Sequence, residues 1–127
     1  MVHHSRVAKV VIDVPGDVHD REVAFWQGAV GQELAQVQRF PEYRLGALPG
    51  QDFHFLVQRL TDGVARVHLD VHTDDVAAEV SRLEGLGAER VRAVHSWWVM
   101  RDPAGLPFCV LPQRPGTLSE ANARRWD

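Results

Sequence analysis

One cysteine, one tyrosine and no long apolar run are what this chain of 127 residues has least of, and each scarcity excludes something. A single thiol, Cys109, rules out an internal disulfide and every multi-cysteine metal motif. No apolar stretch approaches the length needed to span a bilayer, and the opening Met1-Val-His-His-Ser-Arg6 lacks the apolar core of a signal peptide. The expected compartment is therefore the cytoplasm, with no membrane partner. An excess of positive charge is also missing. The formal net charge is −3, so no basic field argues for nucleic acid. Low-complexity segments and linkers are absent too. What remains is ordinary for one globular domain: 45% hydrophobic and 24% charged residues, in a length sufficient for one core.

Alternation and turn signals divide the chain. Val7–Val14 reads as a strand with Val10, Ile12 and Val14 on one face and Lys9, Val11 and Asp13 on the other. Asp17 to Asp20 offer N-caps for a helix from about Arg21 to Val30, and Gly31 suits its left-handed C-cap. Phe25 and Trp26 on that helix read as core. Short extended pieces follow at Leu34–Val37 and Tyr43–Leu48, with a turn at Pro49-Gly50. In Asp52–Leu60, Phe53, Phe55 and Val57 oppose His54, Leu56 and Gln58.

The stretch Arg66-Val-His-Leu-Asp-Val-His-Thr-Asp-Asp75 is the most informative. As a strand it sets Val67, Leu69 and Val71 on an apolar face, expected to pack on a helix. Arg66, His68, Asp70 and His72 share the other face. Thr73, Asp74 and Asp75 are N-cap candidates for a helix beginning at Val76, which Gly85 and Gly87 stop. Glu89–Val94, Ser96–Arg101 and Pro107–Leu111 read as strands. Leu118–Trp126 reads as a short helix or loose tail, and His3-His4 as surface.

The order β, α and three strands thus occurs twice. Val7-Ala-Lys-Val-Val-Ile-Asp-Val14 is matched by Val64-Ala-Arg-Val-His-Leu-Asp-Val71, a repeat of about half the chain. The expected fold class is α+β: two βαβββ modules forming paired curved mixed sheets, with helices outside and a central cleft. Module one covers about 6–60, module two about 64–112 and a tail 113–127, all within one domain.

That arrangement resembles the vicinal oxygen chelate superfamily, the glyoxalase, bleomycin-resistance and dioxygenase type, and within it the glyoxalase-like branch. The stretches that carry the resemblance are Val10-Val-Ile-Asp-Val14 with Ala24-Phe-Trp26 and Gly31, His68-Leu-Asp-Val-His-Thr-Asp-Asp-Val76 with Leu86-Gly-Ala88, and Arg101-Asp-Pro-Ala-Gly-Leu-Pro-Phe-Cys-Val-Leu111. In metal-using members, an ion is held by residues from the first and last strand of each module. The resemblance sets those four positions at Lys9, Gln58, His68 and Cys109. Only His68 is a usual ligand there. Lysine offers no lone pair while protonated, and glutamine is a weak neutral ligand.

The resemblance therefore implies a small organic ligand bound in the cleft without the usual metal, and self-pairing into a homodimer. The alternative is a lyase, isomerase or dioxygenase-like enzyme with one divalent ion (Zn, Fe, Mn or Ni) on an altered site of His68, His54 and Cys109. Imidazole and thiolate together suit zinc. His68 and His72, about 13 Å apart along a strand, cannot share one ion directly. A plainer reading makes His68 a hydrogen-bonded histidine and Cys109 a small core residue. Asp13 and Asp70 stand at equivalent places in the halves, either as acid–base groups or as salt-bridge partners of Lys9 and Arg66. Lys9 and Arg66 could equally hold an anion. Trp97 and Trp98 must point to opposite faces. Trp97, on the face of His95, is the candidate cleft wall, which leaves Trp98 for the core.

Overall fold

The computed structural model describes residues 2–48 and 52–127; the turn expected at Pro49-Gly50 lies outside them. The fold is α+β, and the described residues form nine strands and two helices in this order: β1 (His3–Pro15), α1 (His19–Val30), β2 (Ala35–Val37), β3 (Phe40–Ala47), β4 (His54–Leu60), β5 (Arg66–Thr73), α2 (Val76–Gly85), β6 (Glu89–Val94), β7 (Trp97–Arg101), β8 (Pro107–Pro112) and β9 (Arg124–Trp126). Among the described residues no helix is long and apolar enough to cross a membrane. The chain divides into two compact units, Lys9–His68 and a second made of the residues up to Ala8 with Leu69–Asp127. Both divisions fall inside a strand, one in β1 and one in β5.

In the Lys9–His68 unit, β1 runs parallel to β4 from Lys9↔His54 to Pro15↔Leu60. Strand β4 pairs antiparallel with β3, and β3 with β2. Alternation then decides what each face carries. Ile12, Val14, Val23, Leu34, Phe55 and Val57 form a buried cluster against which Val10 and Trp26 of the helix pack. Burying each such side chain is worth roughly 1.5–3 kcal/mol. The opposite face carries Lys9, Val11 and Asp13 beside His54, Leu56 and Gln58. The N-cap of helix α1 is Val18, with no side-chain cap bond, so the aspartates at 17 and 20 do not fill that role. Gly31 closes it at φ 77°, as a residue without Cβ can. Trp26 joins the core as expected, whereas Phe25 is 63% exposed.

In the second unit, β5 and β8 are parallel from Leu69↔Phe108 to Thr73↔Pro112. Strand β8 pairs antiparallel with β7, and β7 with β6. Val80, Met100 and Val110 are buried together, with Val71, Leu83, Trp98 and Phe108 packed on them. Asp75 caps α2 by accepting from the Ala78 N–H at 3.0 Å, as the Thr-Asp-Asp run led one to expect.

Three expectations fail here. Val67 and Leu69 are 54% and 44% exposed, so only Val71 of the apolar face of β5 joins the cluster on α2. The 10 residues of α2 reach along only part of the strand that precedes it. The tail ends neither as a helix nor loose: β9 pairs antiparallel with β1, Ser5↔Arg124 to His3↔Trp126. His3 is not surface either. It is 6% exposed, and its Nε2–H donates to Glu79 Oε1 at 2.8 Å. A single sequence carries no signal for that pairing, since its partners stand 76 residues apart.

Candidate functional site around His68

Asp13 and His68 define the site. Asp13 is 1% exposed on β1, and its Oδ2 accepts from His68 Nδ1 at 2.5 Å. Arg66, two residues earlier on β5, places Nε 3.5 Å from the same oxygen. Among the described residues, Asp13 Oδ1 is buried and has no hydrogen-bond partner. A carboxylate only accepts, so the hydrogen on the imidazole sits at Nδ1 and the lone pair at Nε2. Asp13 thus fixes both the ring plane and the tautomer of His68. Arg66 is the cation seen beside Asp13, next to the hydrogen bond from His68.

Further along β5, Asp70 is 4% exposed and stands opposite Cys109 of β8. One ligand atom each from His68, Asp70 and Cys109 lie within 4.8 Å of one another. A tetrahedral ion with N, O and S ligands holds its donors roughly 3.5 Å apart, so a small closing movement would suffice. Imidazole, carboxylate and thiolate form a donor set suited to zinc-like ions, and three protein ligands leave a fourth position for water or ligand. The donors fit. The set differs from that expected of the sequence: Asp70 replaces His54, which pairs with Lys9 on β1 and Ala47 on β3. Cys109 is half-buried rather than core. His72 stands opposite Leu111, one repeat of the pleat beyond Asp70, and lies outside the donor group.

Sequence reasoning named Gln58 but missed its neighbour Tyr43. Gln58 lies between Asp13 on β1 and Tyr43 on β3, so three polar side chains form a row across the face opposite α1. The Tyr43 ring stacks on Phe40 with centroids 5.1 Å apart. The register of β3 against β4 was the lacking information, because alternation alone does not say which residues stand abreast. Trp98 packs on the Met100 cluster, so Trp97 takes the other face. There its ring lies 5.2 Å from that of His95.

Two βαβββ units with mixed sheets and one helix each define a glyoxalase-type fold. The glyoxalase-like domain profile matches residues 9–111, and the chain belongs to that family within the vicinal oxygen chelate superfamily. No curated protein matches it in sequence. Among solved structures, it is similar to methylmalonyl-CoA epimerase from Mycobacterium tuberculosis, with TM-score 0.61 and 17% identity over 86% of this chain and 88% of that one. It is similar also to 2,2',3-trihydroxybiphenyl 1,2-dioxygenase from Sphingomonas wittichii, with TM-score 0.58 and 16% identity over 87% of this chain and 41% of that one. A third is a 4-hydroxymandelate synthase variant from Streptomyces coelicolor, with TM-score 0.58 and 12% identity over 94% and 52%. At these identities the likeness shows the fold.

Proposed function

We propose that the chain is an enzyme of the lyase, isomerase or dioxygenase kind, acting on a small organic molecule at a divalent metal held by His68, Asp70 and Cys109. The convergence of those three donors carries the reading, and the resemblance to an epimerase and a dioxygenase supports it. A bound divalent ion would polarise an oxygen of the ligand and acidify a bound water. The residues of the chain do the rest. Asp13 holds Nδ1–H of His68 and so directs Nε2 to the ligand side, as carboxylate–histidine pairs do at metal centres. Arg66 offsets the charge of Asp13, and Gln58 and Tyr43 offer an amide and a phenol to a polar ligand on the same face.

A second reading, binding of a small organic ligand without metal, is favoured by Lys9. Its ammonium stands where the resemblance puts a metal ligand and would repel a cation. Metal analysis of protein purified without chelator separates the two. Stoichiometric Zn, Fe, Mn or Ni, lost in both His68→Ala and Cys109→Ala, is the result expected of the enzyme. Folded protein that contains no metal and takes up none of these ions sinks it and leaves the binding protein.

A further inference from the structure

Five side chains outside the His68 site close a ring in the second unit. Glu79 on α2 is 1% exposed. Its Oε1 accepts from His3 Nε2 and from Arg82 Nε, both at 2.8 Å, and its Oε2 accepts from Arg82 Nη2 at 2.9 Å. The Ser5 hydroxyl also donates to it. Ser5 Oγ in turn accepts from Trp126 Nε1–H at 2.9 Å, and the Arg82 guanidinium lies 3.8 Å from the centroid of the Trp126 ring. The path runs from Trp126 through Ser5, Glu79 and Arg82 back to Trp126. Strand β9 adds only the short ladder of Arg124–Trp126 on His3–Ser5, and Arg124 and Arg125 are exposed. Before it, the tail is anchored by Leu118, 7% exposed, and folded on itself by the Ser119–Asn122 turn, where Ser119 O accepts from both Asn122 N–H and Ala123 N–H. The strand is therefore fastened at its far end almost entirely by Trp126, and Trp126 by groups that converge on one carboxylate.

We propose that the C-terminal strand is a latch bolted by Glu79, and that protonation of Glu79 releases β9 while the strands β5, β8 and β7 stay folded. The chemistry follows from the ring. A neutral carboxyl group loses the charge-assisted bonds by which it holds the His3 imidazole and the Arg82 guanidinium together. Arg82, one quarter exposed, then turns to water and leaves the Trp126 face without its cation. Other charged groups near the latch are the His4–Asp74 pair, at 2.8 Å, and Arg125 with Asp127 at 3.3 Å. His4 and Asp74 tie β1 to the start of α2 and not to β9, so they fasten the strand beneath the latch. The pKa of Glu79 lies below its ordinary 4.5, since burial raises it but bonds from Arg82, His3 and Ser5 outweigh burial. Release is thus an acid event.

Amide hydrogen exchange of the full chain, corrected for intrinsic rates and followed from neutral pH into acid, tests this. Protection at Arg124–Trp126 should vanish at a pH where β5 and β8 remain protected. At neutral pH, Glu79→Gln should lower β9 protection about tenfold or more, and by a clearly larger factor than β8. Should that variant not fold, Ser5→Ala removes the acceptor of Trp126 without touching a charge, and is expected to lower protection of β9 alone. Exchange at β9 that tracks β8 at every pH, or that is unmoved in the folded variants, overturns the proposal.

Discussion

His68 Nδ1 meets Asp13 Oδ2 at 2.5 Å although the two residues stand 55 positions apart in the chain. The same oxygen is shared with Arg66, at 3.5 Å, and the contrast between the two partners is measurable. His68 is 12% exposed at its side chain and Arg66 47%. Hydrogen bonds to a buried charged group are worth about 1.5–3 kcal/mol, whereas exposed ion pairs are worth about 0–1 kcal/mol. Asp13→Asn should therefore destabilise the fold by about 2 kcal/mol and Arg66→Ala by less than about 1 kcal/mol. Urea unfolding at neutral pH checks both. Equal losses would show that solvent-exposed Arg66, and not His68, is the partner that matters.

Gly46 sits where the loop after α1 crosses β3. A Cβ there would lie 2.5 Å from Gln32 Nε2, 2.9 Å from Leu34 Cδ2 and 3.3 Å from the Glu33 carbonyl. The glutamine can swing aside, but Leu34 is 0% exposed in the core cluster and the carbonyl belongs to the backbone. Overpacking of this kind costs about 1–3 kcal/mol, so Gly46→Ala should lower the thermal midpoint by several degrees, about 4–8 °C per kcal/mol for a chain somewhat shorter than this. An unchanged midpoint would mean the loop yields.

Alternation in Val7–Val14 and Asp52–Leu60 sorted correctly which residues of β1 and β4 face the α1 core, although Val11, Asp13 and Leu56 on the other face are buried as well. The same rule misled at Val67 and Leu69. It says which residues share a face, and nothing about how far a neighbouring helix extends along that face. At the site, period two gathered Arg66, His68 and Asp70 on one side of β5. It did not bring in Cys109 beside Asp70, nor leave out His54. Both depend on pairing register, which is settled by strand pairing between residues far apart in sequence within each unit. His3 shows the limit most plainly: a residue near the terminus, next to a second histidine, had no local feature to mark it as the buried partner of Glu79.

Asp75 is the one aspartate of the Thr73-Asp-Asp75 run that accepts from the first turn of α2, through Ala78 N–H at 3.0 Å. Its neighbour Asp74 is instead turned to His4, whose backbone N–H it accepts at 2.7 Å. The two substitutions should thus separate. Asp75→Ala removes an N-cap, at about 1 kcal/mol, and Asp75→Asn should restore most of it, since asparagine caps as well. Asp74→Asn should leave the helix start intact and instead loosen the first residues of β1. Amide exchange at Ala78 and at His4 reports the two effects independently.

Two carboxylates give stability a direction in pH. At Glu79 burial acts to raise the pKa, but hydrogen bonds from Arg82, His3 and Ser5 and the charge of Arg82 hold it below the ordinary 4.5. At Asp74 burial is again the largest single influence, yet the backbone N–H and the imidazole of His4 bring the net value below the ordinary 3.8. A group whose pKa is depressed by folding contributes stability above its unfolded value and loses that contribution as pH falls through the lower folded value. These two groups therefore add a constant amount from neutral pH to about pH 5 and progressively less below about pH 4. In a series of thermal melts, Glu79→Gln should lower the midpoint at neutral pH, because Arg82 and His3 lose their shared acceptor. It should also flatten the acid limb, because one titrating group is gone. A variant curve that falls in parallel with the wild type below pH 5 would assign the acid sensitivity to other carboxylates.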